Sequence, residues 1–197
     1  MTDHVPVPDE LDRRFRDAAA ASGLVEVSYD VVDSPLGPLT VCVSERGLYR
    51  ISFENHAEEE LENVARRHGG LVLRLSRPVE PARRQLTEYF EGARRTFDLP
   101  LDLEETAGFN RTVLAELARI PYGGLTTYGT LAARVGRPKA PRAVGTVMNR
   151  NPIPIVLPCH RVVGSTGSLT GYAGGLWMKE LLLELEGALP RRTLLDA

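Results

Sequence analysis

Cysteine, histidine and long apolar runs are all scarce in this sequence. Two cysteines, Cys42 and Cys159, and four scattered histidines occur in 197 residues, which excludes a disulfide-dense scaffold and argues against a cysteine-rich zinc site. No stretch approaches the roughly 18 consecutive apolar residues that a membrane-spanning helix needs. The first ten residues have neither the basic nor the apolar region of a secretory signal. We therefore expect no metal site, no membrane partner, and a reduced cytoplasmic location, nucleoid-associated if the organism is bacterial.

Lysine is absent from the first 105 residues, and this half of the chain is acidic. Residues 1–105 carry 13 Arg against 21 Asp and Glu, a net charge of −8, whereas residues 106–197 carry 11 basic residues against 5 acidic ones, a net charge of +6. Within 111–161, eight basic residues accompany a single acid, Glu116. This asymmetry suggests a polyanionic partner for the basic half. From the charge alone, the alternative that these are merely solvated arginines on the surface is about equally plausible.

The composition, with 43% hydrophobic and 25% charged residues, is that of an ordinary globular protein. In the first half, three alternating segments separated by turns predict an antiparallel β-meander, with helices and further strands around it. The predicted elements are a helix over 9–22, strands over 25–32, 39–43 and 48–53, a helix over 56–68, a strand over 71–75, a helix over 80–91 and a strand near 96–99. An acidic linker, Asp102 to Thr106, marks the expected domain boundary. The predicted organisation is an N-terminal extension (1–24), an N-terminal α/β domain (25–105), a C-terminal domain (106–190) and a tail (191–197).

The second half is predicted to be helical, with turns rich in Gly and Pro. Helices are expected over 109–119, 128–135 and 141–149, and Thr126 or Thr127 can cap the second of them. Two short helices across a tight turn in a basic stretch are typical of a helix-turn-helix. Arg142, early in the third predicted helix, is then the residue best placed to enter a DNA groove.

The segment NPIPIVLPCHR, residues 151–161, carries the candidate chemistry. Its prolines exclude a helix, so we expect Ile153 to Leu157 to be extended and buried, delivering Cys159 and His160 at its end. A cysteine is a nucleophile as thiolate, and a neighbouring histidine can lower its pKa. Neighbours on a regular strand point to opposite faces, so contact between the two would need an irregular backbone or a water. An accidental or merely buried Cys-His pair remains the alternative.

Glu186 is the second candidate. On a helix predicted over 175–186 it lies on the apolar stripe with Leu182 and Leu183. A carboxylate aimed at the core, at a helix C-terminus, needs a partner. An imidazole is a good candidate, which would make Cys159, His160 and Glu186 a nucleophile, a base and an orienting group. A solvated Glu in a frayed last turn is the alternative.

Seven sequence elements now stand in one order: PYG with TTYG (121–129), PRAVG (141–145), Asn151-Pro152, PCHRV (158–162), GYAGGL (171–176), Lys179 and Glu186. With them the chain resembles the O6-alkylguanine-DNA alkyltransferases, or methylated-DNA–protein-cysteine methyltransferases. The first hundred residues match more loosely, through SPLG and the strand after it. The resemblance implies an α+β fold: an N-terminal ribonuclease-H-like antiparallel sheet with helices, and a C-terminal helix-turn-helix domain that is winged-helix-like.

The resemblance also implies the reaction. It implies DNA repair by irreversible, single-turnover transfer of an alkyl group from O6-alkylguanine, less readily from O4-alkylthymine, in duplex DNA to Cys159. The base is flipped out of the helix to reach the pocket. His160 deprotonates Cys159 through a water, Glu186 orients His160, and Asn151 braces the active-site turn. No cofactor is implied, and a monomer is expected.

The remaining implied roles concern DNA and the base. Tyr128 donates to the purine N3 and is also a DNA contact, and Arg142 fills the gap left in the base stack. The carbonyls of Cys159 and Val162 read the base edge, and the amide of Ala173 contacts O6, although some relatives have Ser at that position. The further residues assigned to DNA are Thr127, Ala140 and Met148, and the further pocket residues are Tyr172 and Lys179.

Two other classes of function remain open at this point. One is a DNA-binding sensor whose Cys159 is structural or serves as a signal, which predicts tight duplex binding with little transfer. The other is a thiol acceptor that protects against small alkylating metabolites, which predicts fast reaction with free donors and little DNA affinity.

Overall fold

The structure is a computed structural model that describes residues 8–68 and 71–190. The first seven residues of the predicted extension, the Gly69-Gly70 pair and the predicted tail lie outside the described residues. The elements in chain order are α1 (Asp9–Ala21), β1 (Val25–Val32), β2 (Leu39–Ser44), β3 (Gly47–Phe53), α2 (Ala57–His68), β4 (Leu71–Arg74), α3 (Ser76–Phe90), α4 (Gly108–Leu117), β5 (Thr126–Thr127), α5 (Tyr128–Arg134), α6 (Pro141–Asn149), β6 (Val162–Val163) and α7 (Leu176–Leu185).

The N-terminal half is built on a four-stranded sheet in the order β3-β2-β1-β4. The predicted meander is confirmed: β1 pairs antiparallel with β2, and β2 with β3. The expectation of a wholly antiparallel sheet needs one correction, because β4 pairs parallel with β1. A parallel neighbour requires a crossover connection, and between β3 and β4 the chain passes through helix α2.

The strand predicted near 96–99 is wrong. That segment is irregular because a side chain occupies its backbone groups: Gln85 donates to the Asp98 carbonyl (2.9 Å) and accepts from the Asp98 amide (2.8 Å). The chain joins the sheet only beyond it, where the Leu48 amide donates to the Pro100 carbonyl (2.8 Å). Helix α3 also begins at Ser76, earlier than predicted, with two prolines inside it. Pro78 is tolerated because its position falls within the first turn, where an amide has no helical partner.

The C-terminal half contains the predicted helix-turn-helix. Helices α5 and α6 pack against each other, and α4 contacts both. Thr127 is the N-cap of α5, and its hydroxyl accepts from the Thr130 amide at 3.0 Å. Strands β5 and β6 form a short parallel pair, Thr126 with Val162 and Thr127 with Val163. This pair ties the start of the helix-turn-helix to the segment just after Cys159.

One contiguous hydrophobic core runs through both halves. It includes Ile51 and Leu86 from the N-terminal half and Val144, Ile155 and Leu182 from the C-terminal half. The two predicted domains therefore share buried surface, and their bounds stay a prediction. Within the described ranges, no helix is long and apolar enough to cross a membrane.

Gly47 supplies the first testable prediction. It starts β3 with φ of 132°, and a Cβ there would lie 2.6 Å from the Pro100 carbonyl carbon. Backbone cannot move away cheaply, so Gly47→Ala should lower the free energy of unfolding by about 3 kcal/mol or more, since it combines backbone strain with a clash. Urea unfolding measures the difference.

Gly92→Ala is the matched control for this change. Gly92 also has a positive φ, 76°, but no heavy atom of a non-neighbouring described residue would lie within 4 Å of a Cβ at this position. Its cost should be that of the left-handed backbone alone, about 1–2 kcal/mol. Equal losses in the two variants would contradict the assigned close contact.

Candidate active site

The loop between α6 and Cys159 is organised by the side chain of Asn151. Its Oδ1 accepts from the Ile153 amide (3.1 Å), and its Nδ2 donates to the Leu157 carbonyl (2.7 Å) and to Cys159 Sγ (3.1 Å). Ile153, Ile155 and Leu157 are buried, as predicted. The expected extended conformation is wrong, because the Leu157 amide donates back to the Ile153 carbonyl at 2.9 Å and closes a turn.

Ile155 lies at the tip of this turn in a left-handed conformation. Its φ is 75°, the only positive value for a non-glycine among residues 8–68 and 71–190. A β-branched residue there costs energy that the surroundings must offset. Here the side chain is fully buried in the core, and the turn places Cys159 in the 3-10 helix Cys159–Arg161.

Five hydrogen bonds converge on the buried carboxylate of Glu186, which caps the C-terminus of α7. Oε1 accepts from His160 Nε2 (2.9 Å), Tyr89 Oη (2.7 Å) and Arg161 Nη2 (2.8 Å), and Oε2 accepts from Arg161 Nε (2.8 Å) and the Gly123 amide (3.1 Å). Hydrogen bonds donated to an ionised carboxylate are stronger than those donated to a neutral acceptor. The predicted helix end is thus a packed polar centre.

His160 and Cys159 are neighbours in sequence whose side chains point to different partners. His160 is completely buried, and its Nε2 is directed at Glu186, so that nitrogen carries the proton. Its Nδ1 is buried and has no hydrogen-bond partner among the described residues. Cys159 Sγ is held by Asn151. The imidazole therefore keeps a free acceptor nitrogen on the side away from Glu186.

Two residues of this centre were missed from the sequence. Arg161 was counted with the basic stretch as a cation for DNA, but it is 6% exposed and pairs with both oxygens of Glu186. Its position inside PCHRV was the available signal. Tyr89 comes from α3 in the other half of the chain, 97 residues away from Glu186, and its sequence signal was only that of an apolar helix face.

Burial sets the resting protonation states of the site. It raises the pKa of the Cys159 thiol, against a lowering by the Asn151 hydrogen bond and the charge of Lys179. It lowers the pKa of His160, against the opposing effect of Glu186. Burial alone would raise the pKa of Glu186, but hydrogen bonds from His160 and Arg161 hold that pKa well below its ordinary value. At rest the site combines a neutral thiol, a neutral imidazole and a carboxylate.

Lys179 joins two segments of the predicted pocket. It is fully buried, and its Nζ donates to the carbonyls of Val162 (2.6 Å) and Thr170 (3.0 Å). Burial lowers the pKa of Lys179 to about 8. Tyr128 Oη also lies against the Thr170 carbonyl, at 3.4 Å. The structure thus brings Tyr128, Lys179 and Val162 together around the loop that precedes α7.

The other two pocket residues lie on that loop. The centroid of the Tyr172 ring is 5.8 Å from that of Phe53 in β3, and the Tyr172 hydroxyl is buried without a hydrogen-bond partner in the part of the chain that the structure describes. Ala173 is exposed and lines a cavity of about 650 Å³ that Asn151 also lines.

Five residues are assigned to DNA: Tyr128, described above, and four others on or at the starts of α5 and α6. Arg142 is exposed in the first turn of α6, and Ala140 is the N-cap of that helix. Thr127 caps α5 and is half-buried. Met148 is 5% exposed and packs into the core, because helical spacing puts it on the buried face of α6 with Val144 and Val147. Its assignment as a DNA contact stays a prediction.

No group of three or more His, Cys, Asp or Glu side chains in the described part of the chain is arranged to hold a metal ion. The Glu186 carboxylate is instead occupied by donors from Tyr89, His160 and Arg161.

Two family models match the chain. The ribonuclease-like domain of 6-O-methylguanine DNA methyltransferase matches residues 27–103, and the DNA binding domain of the same family matches residues 108–188. The chain belongs to the 6-O-methylguanine DNA methyltransferase family. The resemblance drawn from the motifs is confirmed, as is the fold class.

Relatives of this methyltransferase family align over most of the chain. The methylated-DNA–protein-cysteine methyltransferase of Methanosarcina barkeri is 44% identical over 158 residues, 80% of this chain and 96% of the relative. The protein of that name from Salmonella typhimurium is 43% identical over 164 residues, 80% and 94% of the two chains. The crystal structure of Mycobacterium tuberculosis OGT in complex with DNA superposes with a TM-score of 0.72 at 38% identity, covering 81% of this chain and 92% of that one.

The ionised Glu186 carboxylate should make the stability of the fold depend on pH in the acidic range. Its pKa is lowered on folding, so its stabilisation is present above the unfolded value near 4.5 and is lost as pH falls toward the folded value. Glu186→Gln leaves Arg161 buried without its counter-charge, and should cost about 3–5 kcal/mol at pH 7. Urea unfolding from pH 7 to pH 3 measures the difference in free energy of unfolding between the wild type and Glu186→Gln. This difference should become smaller below about pH 4.5.

Glu184→Gln is the control, since Glu184 lies on the same helix, and the change removes the same charge. It should alter stability by less than about 0.5 kcal/mol. A deficit in Glu186→Gln that does not change with pH would contradict the assigned ion pair.

Proposed function

We propose that this chain repairs DNA by transferring the alkyl group of O6-alkylguanine to Cys159, irreversibly and once per molecule. The observation that carries the proposal is the site itself: a buried cysteine held by Asn151, next to a histidine bonded to an ionised glutamate. Membership of the methyltransferase family and the relatives' names support the substrate class. O4-alkylthymine is the expected poorer substrate.

The chemical step displaces the alkyl group from oxygen to sulfur. Cys159 loses its proton through a water to His160 Nδ1, the nitrogen without a partner within residues 8–68 and 71–190. The thiolate attacks the alkyl carbon, an S–C bond forms, the C–O6 bond breaks, and its electron pair returns to the guanine, which takes up at N3 the proton that Tyr128 donates. Solvent then returns a proton to Tyr128, as His160 releases the one it took from Cys159. Glu186 orients the imidazole and stabilises the imidazolium. No further reactant is needed.

Ionisation of Cys159 is coupled to substrate in this scheme. Burial raises the pKa of the Cys159 thiol when no substrate is bound. Little thiolate therefore exists before the alkylated guanine enters the pocket. A guanine seated in the pocket places the electrophilic carbon against the sulfur, so the thiolate attacks as soon as the water has carried its proton to His160. Lys179 holds the Val162 carbonyl, which with the Cys159 carbonyl reads the base edge, while Tyr172 lines the pocket and the Ala173 amide contacts O6.

DNA approaches along α6 in the proposed complex. Arg142 enters the base stack as the guanine is flipped out, and Tyr128 donates to the purine N3. Thr127 and Ala140, at the starts of α5 and α6, contact the backbone. The protein acts as a monomer in the cytoplasm, on the nucleoid if the organism is bacterial.

Cys159→Ala should abolish transfer while leaving duplex binding largely intact, because the variant removes the acceptor atom and little volume. Intact-protein mass after incubation with a duplex containing O6-methylguanine should rise by one methyl group for the wild type, saturate at one per molecule, and not rise for the variant. Cys42→Ala is the control: burial raises the pKa of Cys42 to about 12, so this cysteine should be inert. Methylation that persists in Cys159→Ala would refute the acceptor assignment.

Arg142→Ala should reduce repair of duplex substrate by about tenfold or more, in keeping with 1–3 kcal/mol for an arginine at a DNA contact. Its rate with free O6-benzylguanine should stay near that of the wild type, because the free base needs no flipping. Arg111→Ala, an exposed arginine of α4, controls for the loss of one positive charge. Equal loss on both substrates would reject the insertion role.

A further inference from the structure

Tyr89 connects the N-terminal half of the chain to the proposed chemistry. It lies near the C-terminus of α3 and is completely buried. Its hydroxyl donates to Glu186 Oε1 at 2.7 Å. The same oxygen accepts from His160 Nε2 at 2.9 Å. Tyr89 is therefore one atom removed from the imidazole of the proposed base.

The ring of Tyr89 is held firmly in this position. Phe90 and Phe97 lie 5.3 Å from it, and Tyr122 lies 6.0 Å from it, each measured between ring centroids. Gln85, one turn earlier on α3, fixes the backbone of Asp98, which follows Phe97. Aromatic side chains packed on several sides have few alternative rotamers, so the hydroxyl can serve as a fixed donor.

We propose that Tyr89 is a positioning residue for the alkyl transfer: its hydroxyl holds Glu186 Oε1 in place and takes up part of the negative charge that would otherwise act on His160. This inference rests on the proposed acceptor reaction. It assigns a part in that reaction to the N-terminal half of the chain, which supplies neither the acceptor nor the base.

The electrostatics around His160 give this role a direction. The groups that act electrostatically on the imidazole are Glu186 just after α7, Arg161 of its own turn and Lys179 of α7. Tyr89 acts on the imidazole through Glu186. A carboxylate oxygen that loses one of three donors becomes more basic toward the remaining two. Without the Tyr89 hydroxyl, the imidazolium form of His160 is therefore favoured.

Tyr89→Phe tests the proposal, because it removes the hydroxyl and keeps the ring. The measurement is the rate of transfer from free O6-benzylguanine as a function of pH, which isolates the chemistry from DNA binding. We expect the acidic limb of the profile to move to higher pH by about 0.5 unit. The plateau rate should fall by about tenfold, since a general base that is less well oriented loses part of its contribution.

A second measurement follows the imidazole directly. In protein with labelled histidine, the pKa of His160 read by NMR should rise in Tyr89→Phe. Tyr29→Phe is the matched control, since Tyr29 packs in the separate cluster around Val27 and Val64. Neither the profile nor the titration should move in that variant.

The outcomes separate this inference from the proposed function. A lower rate or stability with an unshifted pH profile and an unshifted His160 pKa would make Tyr89 a structural residue only and overturn the proposal. If the wild type transfers no alkyl group, the proposed function fails, but the His160 titration still decides whether Tyr89 acts on the imidazole.

Discussion

The buried Glu186 carboxylate is the interaction on which the rest of the site depends. Its donors come from α3, the loop before β5 and the turn after Pro158. A charge placed at the end of α7, out of water, would be strongly destabilising without them. The same bonds that offset this cost also join both halves of the chain and orient the imidazole. One group thus contributes both to stability and to the chemistry. Its donors allow the carboxylate to lie at a helix C-terminus, where the helix dipole disfavours a negative charge.

The regular elements could be predicted from local sequence, and the reasons are visible residue by residue. Alternation in 25–32 and 48–53, with Gly and Pro between the segments, was enough to place β1 and β3. The strand expected near 96–99 failed because Gln85, on another element, takes the Asp98 backbone groups. No local pattern reports a hydrogen bond made by a side chain from elsewhere in the chain.

Only some residues of the site could be predicted from the sequence. Cys159, His160 and Glu186 could be named because they stand within ordered motifs, and the apolar stripe of α7 showed that Glu186 points inward. Tyr89 could not be named, since a tyrosine among Leu and Phe on an amphipathic helix is indistinguishable from ordinary core until its hydroxyl is located. Met148 was assigned to DNA through the resemblance alone, and only the structure shows that its side chain lies on the buried face of α6.

The ion pairs of the C-terminal half bear on how this protein meets a polyanion. Of the eight cations in 111–161, Arg161 is buried against Glu186, and Arg119 and Arg134 both lie beside Glu116. The five others are exposed: Arg111 on α4, Arg137 and Lys139 in the turn between α5 and α6, Arg142 on α6, and Arg150 just after it. The number of counterions displaced from DNA on binding follows the cations that reach phosphates. Affinity should therefore decline with ionic strength as for a protein of about five such contacts, more gently than the sequence charge of this stretch implies.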